Sequence, residues 1–369
     1  MIKKELFMEK EKLFKEFGIE VLDEEIFPSQ KKDELLLKRK LLIGCRGKEL
    51  LKKIFQDKES FYALTGIMPS YEKIHLGTTL IIEAMKFFQD ISEVNIVLVA
   101  DVESFLTRDV TYEEARKYAL EQHIPAYLAL GLNVDRTVFY FQSENKDLIK
   151  IASDVAREIT LSTFRGVYGD LSAERVLGSI YQIADILFPQ LVKPFSGIIP
   201  VGLDQDPHLR LTRDYLRKTK TFNFKEVASV YVDTLPDLMD PNEKMSKSRP
   251  NSAIFLLEDK KSIERKIKRA FSGGGATLKE HRKKGANLEV DVCYKILKVI
   301  DRSKEFERVV EEYKSGRMLS GEFKQYTFQT LLNFMKDFKE KFVYFQDLVK
   351  RGEINFIRSC EDLRSFLKG

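Results

Sequence analysis

An open parallel β-sheet wound with helices on both faces, followed by an all-helical C-terminal domain, is the α/β architecture predicted by this 369-residue sequence. Three observations carry that expectation. Short apolar runs alternate with helix-patterned stretches between Phe61 and Val232, the pattern of βαβ units. The runs are continuous rather than alternating, as in strands buried on both faces. After Ile254 the strand signal stops, and from Leu288 onward the chain reads as helix, with few glycines and no proline.

Residues 1–60 read as a charged, helical N-terminal extension with a Leu-rich patch at Glu34–Leu42. The first apolar run, Phe61–Gly66, leads into a loop, Ile67–Lys73, that holds Pro69 and Ser70. A helix then begins near His75, with Leu80, Ile81, Ala84, Met85 and Phe88 on one face. Asn95–Asp101 is a buried strand ending in an acid, and Thr111 with Glu114 forms a capping box that opens the next helix. Arg136–Gln142 is a third strand, followed by helices over Lys146–Glu158 and Ser172–Leu187. Ile198–Leu203 is a fourth strand; the helix after it starts at Pro207, where proline suits the first turn. Val227–Val232 completes the sheet as a fifth strand. Lys260–Lys284 is strongly basic and contains Gly273-Gly274-Gly275, read as a hinge. The domains expected are therefore 1–60, 61–256 and 257–369.

Composition narrows the function classes. Hydrophobic residues make up 43% and aromatics 11%, enough for a sizeable core. The net charge of +5 permits an RNA partner without requiring one. No run of eighteen apolar residues occurs, so no spanning helix is expected, and the charged N-terminus does not read as a secretory signal. Cys45, Cys293 and Cys360 make no Cys-x-x-Cys pair, and His75, His123, His208 and His281 lie far apart. No disulfide framework or structural metal is expected, and a cytoplasmic location is.

Four constellations could carry chemistry, and in an open α/β sheet ligands gather at the carboxyl ends of strands. The first is Pro69-Ser70 followed by His75-Leu76-Gly77-Thr78 at a helix start, where N–H groups and the dipole suit a phosphate. Taken alone, such a histidine is more often a surface or cap residue. The second is Lys244-Met245-Ser246-Lys247-Ser248, two ammonium groups beside two hydroxyls, suited to a departing pyrophosphate; a short Lys/Ser stretch is also a common solvated loop. The third follows the fourth strand: Gly202, Asp204 and Gln205, which suit ribose hydroxyls and a small polar ligand, with Asp206 read as a helix cap. The fourth is Gln182 with Asp185 on an apolar helix. A buried Asp is costly unless paired, so Asp185 either meets a cation or accepts from a ligand.

Taken in order, these motifs resemble the class I aminoacyl-tRNA synthetases. Longer segments, Ile199–Asp214, Lys244–Leu256, Phe271–Arg282 and Asn287–Val292, resemble the tryptophanyl group of archaeal and eukaryotic type. The resemblance implies a Rossmann-type catalytic domain, a helical anticodon-binding domain and a homodimer, with L-tryptophan, ATP and tRNA(Trp) as partners and Mg2+ carried on ATP. It assigns catalysis to His75, Thr78, Lys244 and Lys247. ATP binding falls to these and to Pro69, Ser70, Gly77, Gly202, Asp204, Met245, Ser246 and Ser248. Tryptophan binding falls to Asp185, then Glu103, with Gln205 and Gln182. Two departures stand out. Thr78 occupies the position where the family often has His, and Leu64 and Leu98 stand where eukaryotic relatives place a Tyr and a Gln on the indole. The rivals are the tyrosyl specificity, suggested by Tyr181 and Gln182, a nucleotidyltransferase of the same superfamily, and a non-catalytic RNA-binding paralogue.

Overall fold

The computed structural model describes residues 18–32 and 34–368. Residues 1–17 of the helical extension read over 1–60, and residue 33, lie outside the described residues. The chain divides into two compact units. Within the described residues, one comprises residues 18–72, 81–233 and 345–368, and the other residues 73–80 and 234–344.

The first unit is built on a seven-stranded sheet: β1 (Leu42–Arg46), β2 (Phe61–Ile67), β3 (Val94–Val99), β4 (Thr137–Phe141), β5 (Ser196–Gly202), β6 (Val227–Val232) and β7 (Asn355–Phe356). Their order across the sheet is β1-β6-β5-β2-β3-β4-β7. All neighbours are parallel except β1 and β6. The chain steps from β2 outward to β4, then returns to the other side of β2 through β5. That reversal puts a topological switch point at the carboxyl ends of β2 and β5, where an open sheet receives its ligand. Five strands are fully buried or nearly so, as continuous Val, Ile, Leu and Phe runs require.

Helices Leu148–Glu158, Ala173–Leu187 and Asp206–Lys218 join strand residues such as Leu64, Ile96 and Tyr140 in one core. A separate phenylalanine cluster packs elsewhere in the unit: Phe55 meets Phe61 edge-on at 5.8 Å, and Phe87 meets Phe88 at 5.1 Å. Such tilted pairs suit the ring quadrupole. The capping box is present as read, with Thr111 Oγ1 accepting from Glu114 N and the Glu114 carboxylate accepting from Thr111 N.

Two segments depart from the reading. Leu42–Arg46, expected as helix, is an antiparallel edge strand on β6. Pairing with a formed sheet edge outweighs the helical propensity of its leucine-rich surroundings. Residues 345–369 were expected in the helical domain, but their described part belongs to the sheet unit, where β7 pairs with β4 and Leu363 is fully buried.

The second unit is helical over most of its length, with Lys260–Arg269, Leu278–Lys284, Val292–Ile300, Phe306–Lys314 and the start of the long helix Ser320–Lys350. Gly273–Gly275 is a packed junction rather than a hinge. A Cβ on Gly273 would lie 1.9 Å from the Asn287 carbonyl oxygen, and one on Gly275 would lie 2.6 Å from His281 N. Asp291 ties the junction down: it accepts from Gly273 N at 2.8 Å and Tyr313 Oη at 2.7 Å, and caps helix Val292–Ile300 through Tyr294 N. Among the described residues, no helix is long and apolar enough to cross a membrane.

Candidate functional site

The second constellation and the His75–Thr78 part of the first fall in the helical unit and are joined through the backbone. Leu76 N donates to Ile254 O and Leu256 N to Ile74 O, each at 2.8 Å, so that His75 pairs with Phe255. The segment that follows the Lys-Met-Ser-Lys-Ser loop is thereby fastened to the His-x-Gly-Thr segment. Gly77 N donates to His75 Nδ1 at 3.1 Å, which leaves the ring proton on Nε2. A Cβ at position 77 would sit 2.8 Å from the imidazole, so only glycine lets the ring lie there. Thr78 opens helix Thr78–Gln89, and its N–H donates to His75 O at 3.1 Å.

The loop itself is anchored at its base. Met245 is 1% exposed, so its side chain is a buried plug. Met245 N donates to Leu235 O at 2.9 Å and Asp237 N to Glu243 O at 2.7 Å. Arg249 pairs with Glu243 at 2.9 Å and Asp237 at 3.4 Å. Ser246 and Ser248 share a hydroxyl contact of 2.9 Å. Lys244 and Lys247 are half-buried on this frame.

The sheet unit holds Pro69, Ser70, Glu103, Gln182, Asp185, Gly202, Asp204 and Gln205. Asp185, on helix Ala173–Leu187, is fully buried and accepts from Tyr140 Oη at 2.9 Å and from Gln142 Nε2. Both donors are neutral; among the described residues no ion pair with Asp185 is found, so the cation alternative is not realised. Burial pushes its carboxyl well above the ordinary range, against the hydrogen bonds from Gln142 and Tyr140, and the nearby Glu103 and Asp101 add to the rise. Glu103 is raised too, chiefly by burial, while the bond from Gln182 Nε2 at 2.6 Å opposes it. Gln142 Oε1 in turn accepts from Glu103 N at 3.3 Å. Gln182 Oε1 is buried with no hydrogen-bond partner. A buried acceptor without a donor is costly, and a ligand donor would relieve it.

Other expected residues take different places. Gly202 ends β5, and Gln205 Nε2 donates to Asp204 at 3.2 Å. Asp206 is not a helix cap: it accepts both Arg46 donors, at 2.8 and 2.9 Å, and Tyr231 Oη. It is thus the buried half of an ion pair that secures the β1 edge. Leu64 and Leu98 are 2% and 7% exposed and belong to the core, where neither can bond an indole N–H.

Tyr140 and Gln142 were missed by the sequence reading. The available signal was Arg136–Gln142, an apolar strand whose carboxyl end turns polar. His208, which closes the Asp204–His208 motif, carried no assigned role, and Tyr168 was missed; their Nδ1 and Oη lie 2.5 Å apart, and burial pushes His208 down to about 4.

A family model described as "tRNA synthetases class I (W and Y)" matches residues 56–336. Over 340 residues the chain is 32% identical to the Tryptophan--tRNA ligase of Methanocaldococcus jannaschii, covering 89% of this chain and 91% of that one. The chain belongs to the tryptophanyl-tRNA synthetases. The Tryptophan--tRNA ligase of Methanopyrus kandleri is 33% identical, with 90% of both chains covered. Among solved structures, the tryptophanyl-tRNA synthetase of Aeropyrum pernix K1 superposes with a TM-score of 0.85 at 29% identity, over 95% of this chain and 97% of that one. One from Encephalitozoon cuniculi, bound to tryptophan, gives a TM-score of 0.82 at 25% identity, over 97% and 99%. Membership of the tryptophanyl-tRNA synthetases makes the chain an enzyme, an aminoacyl-tRNA ligase of a family that uses ATP as substrate. It also accounts for the Rossmann-type parallel sheet.

Proposed function

We propose that this chain activates L-tryptophan with ATP and transfers it to tRNA(Trp). In the first step a tryptophan carboxylate oxygen attacks the α-phosphorus, the bond to the bridging oxygen breaks, and pyrophosphate leaves with the electron pair. In the second, a terminal ribose hydroxyl of the tRNA attacks the adenylate carbonyl, loses its proton, and AMP departs. Little covalent chemistry falls to the protein, so positioning and charge stabilisation dominate.

Each residue has a part in this scheme. His75, as an Nε2–H donor, and Thr78 bind ATP phosphates, with Gly77 making room for the ring. Lys244 and Lys247 follow the charge that builds on pyrophosphate, on a frame fixed by Met245, while Ser246 and Ser248 supply hydroxyls. Pro69 and Ser70 shape the loop after β2, and Gly202 and Asp204 receive the ribose. Mg2+ rides on the triphosphate as part of the substrate. Asp185 accepts the indole N–H, held in orientation by Tyr140 and Gln142; as it is sealed in this structure, binding requires the pocket to open. Glu103 stands second to Asp185 as acceptor for the indole N–H, and Gln182 and Gln205 serve the polar end of the amino acid.

The catalytic part takes residues 61–256 together with the sheet-unit residues 345–368, and the anticodon-binding part residues 257–344, with Lys260–Lys284 offering cations to the tRNA backbone. A homodimer in the cytoplasm completes the reading. The observation that carries the amino-acid specificity is the match to tryptophan--tRNA ligases along nine-tenths of the chain. ATP–pyrophosphate exchange with tryptophan and then with tyrosine tests it. Exchange with tyrosine alone overturns the specificity, and exchange with neither overturns the activity.

A further inference from the structure

One helix of the sheet unit changes its winding. Between the α-helical stretches Tyr112–Tyr118 and Ile124–Ala129 lies a π-helical turn, Ala119–His123, closed by Ile124 N–H on the Ala119 carbonyl, five residues back. The sequence contains the cause. Pro125 lacks an N–H, and in a regular α-helix its ring would strike the carbonyl four residues earlier, that of Glu121. The wider turn relieves the clash. Gln346 Nε2 donates to the Glu121 carbonyl at 2.9 Å. Single π turns occur frequently at functional sites.

What this turn delivers is His123. Its side chain is buried, and Nε2 lies 2.8 Å from the Tyr71 carbonyl oxygen. A carbonyl only accepts, so Nε2 is the donor. Tyr71 directly follows Pro69 and Ser70 in the loop that leaves the carboxyl end of β2. That strand end lies at the switch point of the sheet.

We propose that His123 is a positioning residue for nucleotide binding: its Nε2–H clasps the Tyr71 carbonyl and so fixes where Ser70 lies. The inference rests on the reading that the Pro69–Tyr71 loop contacts ATP. None of Ser70, Tyr71 and His123 is among the residues assigned above to the amino acid, so loss of the clasp should fall on ATP rather than on tryptophan.

The test uses the full chain in ATP–pyrophosphate exchange. His123→Phe keeps a ring and removes the donor; the KM for ATP should rise about tenfold, the effect of one lost buried hydrogen bond, while the KM for tryptophan stays within about twofold. His123→Gln, whose amide N–H can reach the same carbonyl, should recover most of the loss. Where His123→Phe does not fold, His123→Asn, too short to reach, takes its place with the same expected split. Equal loss for both substrates, or no recovery in His123→Gln, overturns the inference. Ser70→Ala separates the two levels. If it impairs ATP use while His123→Phe does not, the positioning role alone fails. If Ser70→Ala leaves ATP use unchanged, the loop is not part of the site and the clasp loses its function with it.

Discussion

Asp185 shows what one residue reveals about a site. A carboxyl with no exposure and only neutral donors is an expensive core residue. An indole N–H is a donor only, so a buried acceptor is the partner it needs. Asp185→Ala should leave that donor unpaired, at a cost of about 1–3 kcal/mol, read as roughly a ten- to hundred-fold fall in kcat/KM for tryptophan. Glu103→Ala is the comparison: if it alone lowers kcat/KM while Asp185→Ala does not, the anchor is Glu103. Asp185→Asn keeps one acceptor oxygen for Gln142 and can donate to the Tyr140 hydroxyl, so its effect on kcat/KM should be modest. The same substitution has a stability consequence with a definite sign. Burial raises the folded-state pKa of Asp185 above its ordinary value of 3.8. The folded state therefore holds the proton more tightly, and stability is lost as pH rises from that value through the folded pKa. Asp185→Asn cannot lose a proton, so its Tm should gain on wild type as pH is raised from 5 to 8. A Tm difference that does not change with pH would contradict this.

At the scale of elements, the Lys-Met-Ser-Lys-Ser loop is an anchored base carrying two half-buried lysines. Met245, Asp237 and Arg249 fix the base, while Lys244 and Lys247 stand on it. Lys244→Ala and Lys247→Ala should each slow adenylate formation by about 2–4 kcal/mol of barrier, because they act on charge present mainly in the transition state. Single-turnover adenylate formation measures this beside tryptophan binding, and an equal loss in tryptophan affinity would make the loop a structural element only. The elements differ in how legible they were. Five strands from β2 to β6 were readable because their apolar runs are continuous and mostly bounded by Gly, Pro or acids. β1 was hidden because its leucines sit among residues of high helical propensity, and only the partner strand β6, far along the chain, decides the outcome. β7 has two residues and no periodicity to read. The candidate site divides the same way. His75, Lys244 and Lys247 lie in contiguous motifs, whereas Tyr140 and Gln142 matter only through Asp185, 45 and 43 positions later.

Across the whole molecule, one compositional fact becomes an experimental handle. The chain has no tryptophan and 14 tyrosines. Excited at the red edge, where tyrosine does not absorb, the protein is dark, and an added indole is the only emitter. Free indole in water and indole enclosed by protein differ in emission, because the excited state relaxes against its surroundings. The sheet unit supplies an apolar enclosure: Leu64 and Leu98 lie in the same core as Tyr140, the partner of Asp185. Titration of tryptophan with ATP present should therefore give a saturable emission shifted to the blue of free tryptophan, with a midpoint matching the KM for tryptophan in exchange. Asp185→Ala should move that midpoint to higher concentration in proportion to its loss in kcat/KM, because binding of the indole and catalysis draw on the same contact. Lys244→Ala should leave the midpoint in place, because its charge acts after tryptophan is bound. An unshifted, non-saturating signal at concentrations that support exchange would show that the indole stays in water, and would remove the buried carboxyl from the binding site altogether.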